Sequence, residues 1–168
     1  MNILYLEDNP VARKNIADFN AGRHKIDFVD KITALNEILY DEEGYKEYGA
    51  VVLDLSINMP LLTRAQIIKR IPLLNKPDVP TTCSDIDIPL YGLDYYRYVI
   101  AKRLETRKMV MEGRIILFTG HAQKIRNKGL YNEKDNDFIT TKLIDRAARN
   151  ATSDLFIEFM NIQEKTLI

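Results

Sequence analysis

The stretch "AVVLDLSINMPLL", residues 50–62, decides how the rest of this chain is read. Val51, Val52 and Leu53 form a short apolar run, the pattern of a strand covered on both faces. That run leads straight into Asp54, a carboxylate, which is costly to bury. Either Asp54 caps the turn that follows, or the strand exists to present it to chemistry. The neighbouring segments separate the two readings.

Upstream, "NILYL" (2–6) reads as a strand. It is followed by a helix over 8–20, with Val11, Ala12, Ile16 and Phe19 at helical spacing. Asp8 or Asn9 can cap that helix, and Pro10 suits its first turn. A second strand is expected at 25–30 and a helix through 32–40. "GAVVLDL" (49–55) is the third strand, "RIILFT" (114–119) the fourth and "DFIT" (137–140) the fifth. A short helix at 121–129 stops at Gly129. A long amphipathic helix is expected from about 141 to 162, with Leu155 and Phe159 on its apolar face.

Strands alternating with helices imply a parallel sheet covered on both faces by right-handed crossovers. The expected fold is α/β: a flavodoxin-like, doubly wound, five-stranded parallel sheet in the order 2-1-3-4-5, forming one domain over 1–168. In such sheets ligands gather beyond the carboxyl ends of the strands. One region breaks the rhythm, since the span from Asp54 to Thr119 far exceeds one helix and two turns. Residues 91–109 read as an ordinary covering helix that buries Leu93, Tyr96, Val99, Ile100 and Leu104. The surplus is therefore an insertion at about 57–90, with an extra helix near 63–74 cut by Pro72 and a proline-punctuated loop at 75–89.

Composition narrows the function classes. Lys plus Arg and Asp plus Glu number 24 each, so the formal charge is zero. A nucleic-acid partner is not expected, and the basic, tyrosine-bearing run at 96–114 reads as a solvated helix face. A single cysteine, Cys83, rules out an internal disulfide framework and suits a reducing cytoplasm. No apolar run reaches membrane-spanning length. Glu7 and Asp8 interrupt the N-terminal run after one strand's length, so no signal peptide is expected.

The strand ends carry a complementary set. Strand one ends in Glu7 and Asp8, strand three in Asp54, strand four in Thr119, and strand five leads to Lys142. Alone, each is an ordinary cap, turn residue or surface group. Together they suggest phosphoryl transfer to a carboxylate. Mg²⁺ takes hard oxygen ligands, which Asp8, Asp54 and Glu7 would supply together with the backbone carbonyl of Ser56. Asp54 would be the nucleophile, Lys142 would neutralise phosphoryl charge and Thr119 would hydrogen-bond a phosphoryl oxygen.

The blocks "ILYLEDNP", "VVLDL", "ILFTGHA" and "DFITTK" resemble those of response-regulator receiver domains, and "YGLDYYRYV" resembles the start of their third helix. The resemblance covers nearly the whole chain outside 57–90. It implies two-component signalling in the cytoplasm, with Asp54 accepting a phosphoryl group from a histidine kinase or phosphotransfer protein in the presence of Mg²⁺. It further implies Glu7 and Asp8 as the acidic metal pair, Thr119 as the switch hydroxyl, Phe138 as the switch aromatic on strand five, and Lys142 as the conserved lysine. His121, two residues past Thr119, would tune the lifetime of the phosphorylated state. Such a domain is not an enzyme in its own right. No output domain is expected to follow, so the expected output is contact with an effector protein, as a stand-alone receiver or phosphorelay intermediate.

Three departures qualify the resemblance. Lys142 is followed by Leu143 where the family has a proline, so a trans bond is expected there. "FITTK" is one residue longer than the usual spacing, and Met59-Pro60 lies further from Asp54 than usual. The insertion is a candidate lid, partner-docking surface or homodimer contact. These departures keep open a receiver-like interaction module that works without phosphorylation. A haloacid-dehalogenase-like phosphatase is a weaker alternative, because it needs an acid two residues past the nucleophile, where Ser56 stands.

Overall fold

The computed structural model describes residues 1–41, 43–57, 64–75, 82–83, 88–136 and 138–166. The chain begins with β1 (Asn2–Leu6), α1 (Pro10–Asn20), β2 (Lys25–Val29), α2 (Ile32–Tyr40) and β3 (Ala50–Leu53). After β3 come α3 (Arg64–Arg70), a two-stranded antiparallel pair β4 (Thr82–Cys83) and β5 (Ile88–Pro89), then α4 (Tyr91–Tyr95) and α5 (Leu104–Met111). The chain finishes with β6 (Ile115–Thr119), α6 (Ala122–Asn127), β7 (Lys142–Asp145) and α7 (Ala151–Thr166). The main sheet is wholly parallel in the order β2-β1-β3-β6-β7, the 2-1-3-4-5 order of a flavodoxin-like fold.

Burial on both faces explains the apolar strands. Leu4 and Leu6 of β1, with Val51 and Leu53 of β3, face a core layer built with Ile32, Leu35 and Leu39 of α2, Ile67 of α3 and Leu93 and Tyr95 of α4. Ile3 and Tyr5, with Ala50 and Val52, face the opposite layer, built with Ile16 of α1 and Leu155, Phe156 and Phe159 of α7. Side chains alternate along a strand, so each central strand feeds two cores and has no polar face.

Local chemistry sets several element ends. Asn9 is the cap of α1, its side-chain oxygen accepting from the backbone N–H groups of Val11 and Ala12, and Pro10 opens the helix. Ile16 is buried, whereas Val11 is 65% exposed, so the helix buries a narrower stripe than its spacing suggests. Within the insertion, α3 ends before Pro72, which opens a 3₁₀ turn to Asn75. Ile67, Ile71 and Leu74 bury into the main core. Part of the loop expected at 75–89 is instead the β4–β5 pair. Met59-Pro60 lies outside the described residues.

Four expectations need correction. The covering helix expected at 91–109 is two helices: α4 runs into a π-helical segment, Tyr96–Ile100, and a break precedes α5. Leu104, expected in the core, is 83% exposed because it starts the second helix on its outer side. The fifth strand of the sheet is Lys142–Asp145, not 137–140, and the last helix starts at Ala151 rather than near 141. Residues 138–140 form a turn, in which Phe138 N–H donates to Asp135 O and Thr141 N–H to Phe138 O. "LID" pairs with β6 in the place expected for "FIT".

Candidate functional site

The chain crosses from β2, on one side of β1, to β3 on the other, so the crevice at the carboxyl ends of β1 and β3 is the topological switch point. Hydrogen bonds that continue the ladder one residue past each strand hold the residues there. Glu7 N–H donates to Val29 O at 2.9 Å, Asp54 N–H to Leu6 O at 3.0 Å and Arg146 N–H to Thr119 O at 2.9 Å. Backbone pairing thus fixes Glu7 beside Asp54, with Thr119 and Arg146 one and two residues further along their own strands.

Side-chain alternation puts three of them on one face. Glu7 follows Ile3 and Tyr5, Asp54 follows Ala50 and Val52, and Arg146 follows Ile144, all facing α1 and α7. Glu7 is fully buried and Asp54 is 2% exposed. Glu7 Oε1 accepts from Asn9 N–H at 2.9 Å. Asp54 Oδ1 accepts from the backbone N–H and the hydroxyl of Ser56 at 3.2 and 3.3 Å. The remaining oxygens meet one cation: Arg146 Nη1 lies 2.5 Å from Glu7 Oε2 and 3.3 Å from Asp54 Oδ2. To reach them the side chain passes Gly120, where an added Cβ would lie 4.0 Å from Arg146 Nη2.

The electrostatics follow from crowding of charged groups in a buried site. Burial, and then the charge of Asp54, push the Glu7 carboxyl up to about 6; the Asn9 N–H and Arg146 pull against this. Burial opposes the guanidinium charge of Arg146, but Asp54 and Glu7 outweigh it and raise its pKa. One monovalent cation is therefore shared by carboxylates that it does not fully neutralise.

Glu7, Asp8 and Asp54 each offer an oxygen within 4.8 Å of the others. Asp8 is half-buried, on the solvent side of the pair. Three hard oxygen donors and a carboxyl raised by burial and by Asp54 fit a small divalent cation such as Mg²⁺. Ser56, expected to lend its carbonyl, also uses its N–H and hydroxyl to orient Asp54. Thr119 is buried at the end of β6, and its Oγ1 accepts from the His121 N–H at 3.4 Å. His121, half-buried, precedes α6.

Lys142 is not part of this site. It is the exposed first residue of β7 and pairs with Ile116, whereas Thr119 pairs with Asp145. It therefore lies toward the amino edge of the strand, opposite the acids. The expected placement followed from a fifth strand set several residues too early. Phe138 falls with it: it lies in the turn ahead of β7, buried, stacked on Tyr96 at 5.4 Å and packed against Tyr131 at 5.0 Å, with the Arg97 guanidinium over its ring. It is a core aromatic, but not one on the fifth strand.

Sequence reasoning missed two residues here. Arg146 was recoverable, since starting the strand at Lys142 makes it the first residue beyond the carboxyl end. Tyr5 gives no polar signal within "NILYL", yet its hydroxyl is buried beside the same charges. Neither the family models nor the curated proteins contain a match to this sequence.

Proposed function

We propose that this chain is a receiver-type phosphoacceptor in two-component signalling, with Asp54 as acceptor. The observation that carries the reading is the meeting of Glu7, Asp8 and Asp54 within 4.8 Å at the switch point, with a buried hydroxyl and a cation at the adjoining strand ends. In the reaction, an Asp54 carboxylate oxygen forms a bond to phosphorus as the bond from phosphorus to the donor's histidine nitrogen breaks, and the freed imidazole takes up a proton. Mg²⁺ held by Glu7, Asp8 and Asp54 would neutralise charge on the phosphoryl oxygens. Ser56 fixes the carboxylate through Oδ1, leaving Oδ2 toward Arg146. Arg146 stands where the family's lysine would be sought, and its planar fork of donors suits phosphoryl oxygens. Thr119 supplies a further hydroxyl at the end of β6. A histidine kinase or phosphotransfer protein would be the donor and a protein effector the reader.

A cytoplasmic location belongs to the same proposal. Among the described residues no helix is long and apolar enough to cross a membrane.

A second reading has one observation in its favour. Arg146 already pairs with Asp54, as would suit an interaction module that never takes a phosphoryl group. A small-molecule phosphodonor with Mg²⁺ separates the two by intact mass. A gain of one phosphoryl group that Asp54→Asn abolishes supports the acceptor. Absence of any gain, together with no beryllofluoride binding, establishes the scaffold.

A further inference from the structure

Tyr5 sits in β1, beside the central strand, with no exposure, and its hydroxyl has no hydrogen-bond partner among the described residues. The rest of its core layer is built from Ile, Val, Leu, Ala and Phe side chains. A phenylalanine would fill that space with the same ring, so the oxygen is the feature to explain. Buried hydroxyls are nearly always bonded.

The location suggests the reason. Tyr5 precedes Glu7 by two residues on the same face of β1 and pairs with Val52, two residues before Asp54. Its ring is set between Phe28, at 5.3 Å, and Phe118, edge-on at 6.4 Å, which keeps the hydroxyl from swinging to solvent. Beyond it on the same face stand Glu7 and Asp54, joined by the Arg146 guanidinium. As a phenol the Tyr5 side chain is a neutral hydroxyl at neutral pH.

Arg146 is the group whose circumstances change. Its Nη1 serves Glu7 and Asp54 together, and these residues also supply the oxygens of the candidate metal site. A divalent cation on those carboxylates would compete for the same oxygens with a guanidinium that is half-buried. A neutral oxygen with free lone pairs close by can then receive a guanidinium N–H.

We propose that Tyr5 is a positioning residue whose hydroxyl accepts the Arg146 guanidinium when a divalent cation occupies Glu7 and Asp54. The inference rests on the metal site proposed above. It makes the unpartnered hydroxyl a reserve for the metal-loaded state, in which Arg146 stays close to Asp54 instead of leaving for solvent.

The test is a double-mutant cycle on Mn²⁺ affinity, read from the electron paramagnetic resonance signal of free Mn²⁺. Wild type, Tyr5→Phe, Arg146→Gln and the double variant are compared. Tyr5→Phe is expected to weaken Mn²⁺ binding about tenfold, the scale of losing an outer partner of a metal site. The same change in the Arg146→Gln background is expected to do nothing, because no guanidinium remains to be received. Melting of the metal-free Tyr5→Phe protein at or above the wild-type temperature would tie any loss to the loaded state. Equal affinities for wild type and Tyr5→Phe, or an equal loss in both backgrounds, would overturn the role of Tyr5 and leave the metal site standing. Absence of Mn²⁺ binding in every variant, wild type included, would overturn the metal site and this inference with it.

Discussion

Arg146 Nη1 lies 3.3 Å from Asp54 Oδ2, joining the end of the edge strand β7 to the end of the central strand β3 across the intervening β6. The contact spans 92 residues of sequence. It gives the acidic site its cation and binds the outer strand to the middle of the sheet. Double-mutant cycles on fully exposed pairs report little coupling, whereas here Asp54 is shielded from solvent.

The first prediction contrasts two cations. Arg146→Ala should slow phosphorylation of Asp54 by a small-molecule donor about 100-fold, the usual scale for losing one preorganised group on a developing charge. Lys142→Ala, at the opposite edge, should leave the rate within about twofold, as expected of an exposed residue remote from the chemistry. Mass-spectrometric time courses of the two variants check this; a large loss in Lys142→Ala alone would reverse the assignment.

Glu7 predicts an unusual pH dependence for the metal-free protein. Its folded carboxyl titrates at about 6, against an ordinary value of 4.5, so the folded state holds the proton more tightly than the unfolded chain. The associated stability is fully present below about pH 4.5 and is lost as pH rises through about 6. The loss is about 2 kcal/mol, because each tenfold difference in proton affinity between the two states is worth about 1.4 kcal/mol. Melting in the presence of EDTA should show this decline, Glu7→Gln should remove it, and Mg²⁺ should restore stability at neutral pH more than in mild acid.

Gly92, at the start of α4, should be intolerant of a side chain. An added Cβ would stand 2.1 Å from the Asp54 carbonyl oxygen and 2.8 Å from Leu55 Cα, and Gly92 N–H also donates to Leu55 O at 3.1 Å. Backbone would have to move, so Gly92→Ala should cost about 1–3 kcal/mol, the range for overpacking. It should also slow phosphorylation, because the displaced backbone is that of Asp54. A denaturant melt and the phosphorylation time course together check both halves.

The aromatic layer beneath β7 gives the fourth prediction. Tyr96 OH and Thr141 Oγ1 are 2.6 Å apart and buried, and Tyr131 OH donates to the Thr141 carbonyl at 2.7 Å. Tyr96→Phe should cost about 1–3 kcal/mol by leaving the threonine hydroxyl unpaired. Phe138→Ala should cost about 3–5 kcal/mol through the cavity. If Phe138 serves packing alone, neither change should alter the phosphorylation rate of the protein that remains folded.

His121→Ala offers a fifth. The backbone N–H of residue 121, which meets Thr119 Oγ1, survives the substitution. Any acceleration or slowing of dephosphorylation therefore reports the imidazole itself. An unchanged rate removes His121 from the site.

The order of strands, the two-sided burial of β1 and β3 and the convergence of Glu7, Asp8 and Asp54 were all readable from the sequence. Each depends on a local pattern: an uninterrupted apolar run ending in a polar residue, with a helix between it and the next. Right-handed crossovers then leave little freedom in where the strand ends meet. The identity of Asn9 and Pro10 likewise located the start of α1 without reference to anything distant.

The cation was settled only by tertiary pairing. "DFIT" and "KLID" are both short runs that can lie against β6, and local propensity does not choose between them. The choice falls to the register in which Leu143 and Ile144 pair with Leu117 and Phe118, while the "FIT" residues turn and Phe138 packs on Tyr96 and Tyr131. A strand set a few residues later moves its carboxyl end by the same amount, and so replaces Lys142 with Arg146. Tyr5 belongs to the same class. Its alternation placed it in a core, but only the assembled sheet puts its hydroxyl beneath the charges of three separate strands.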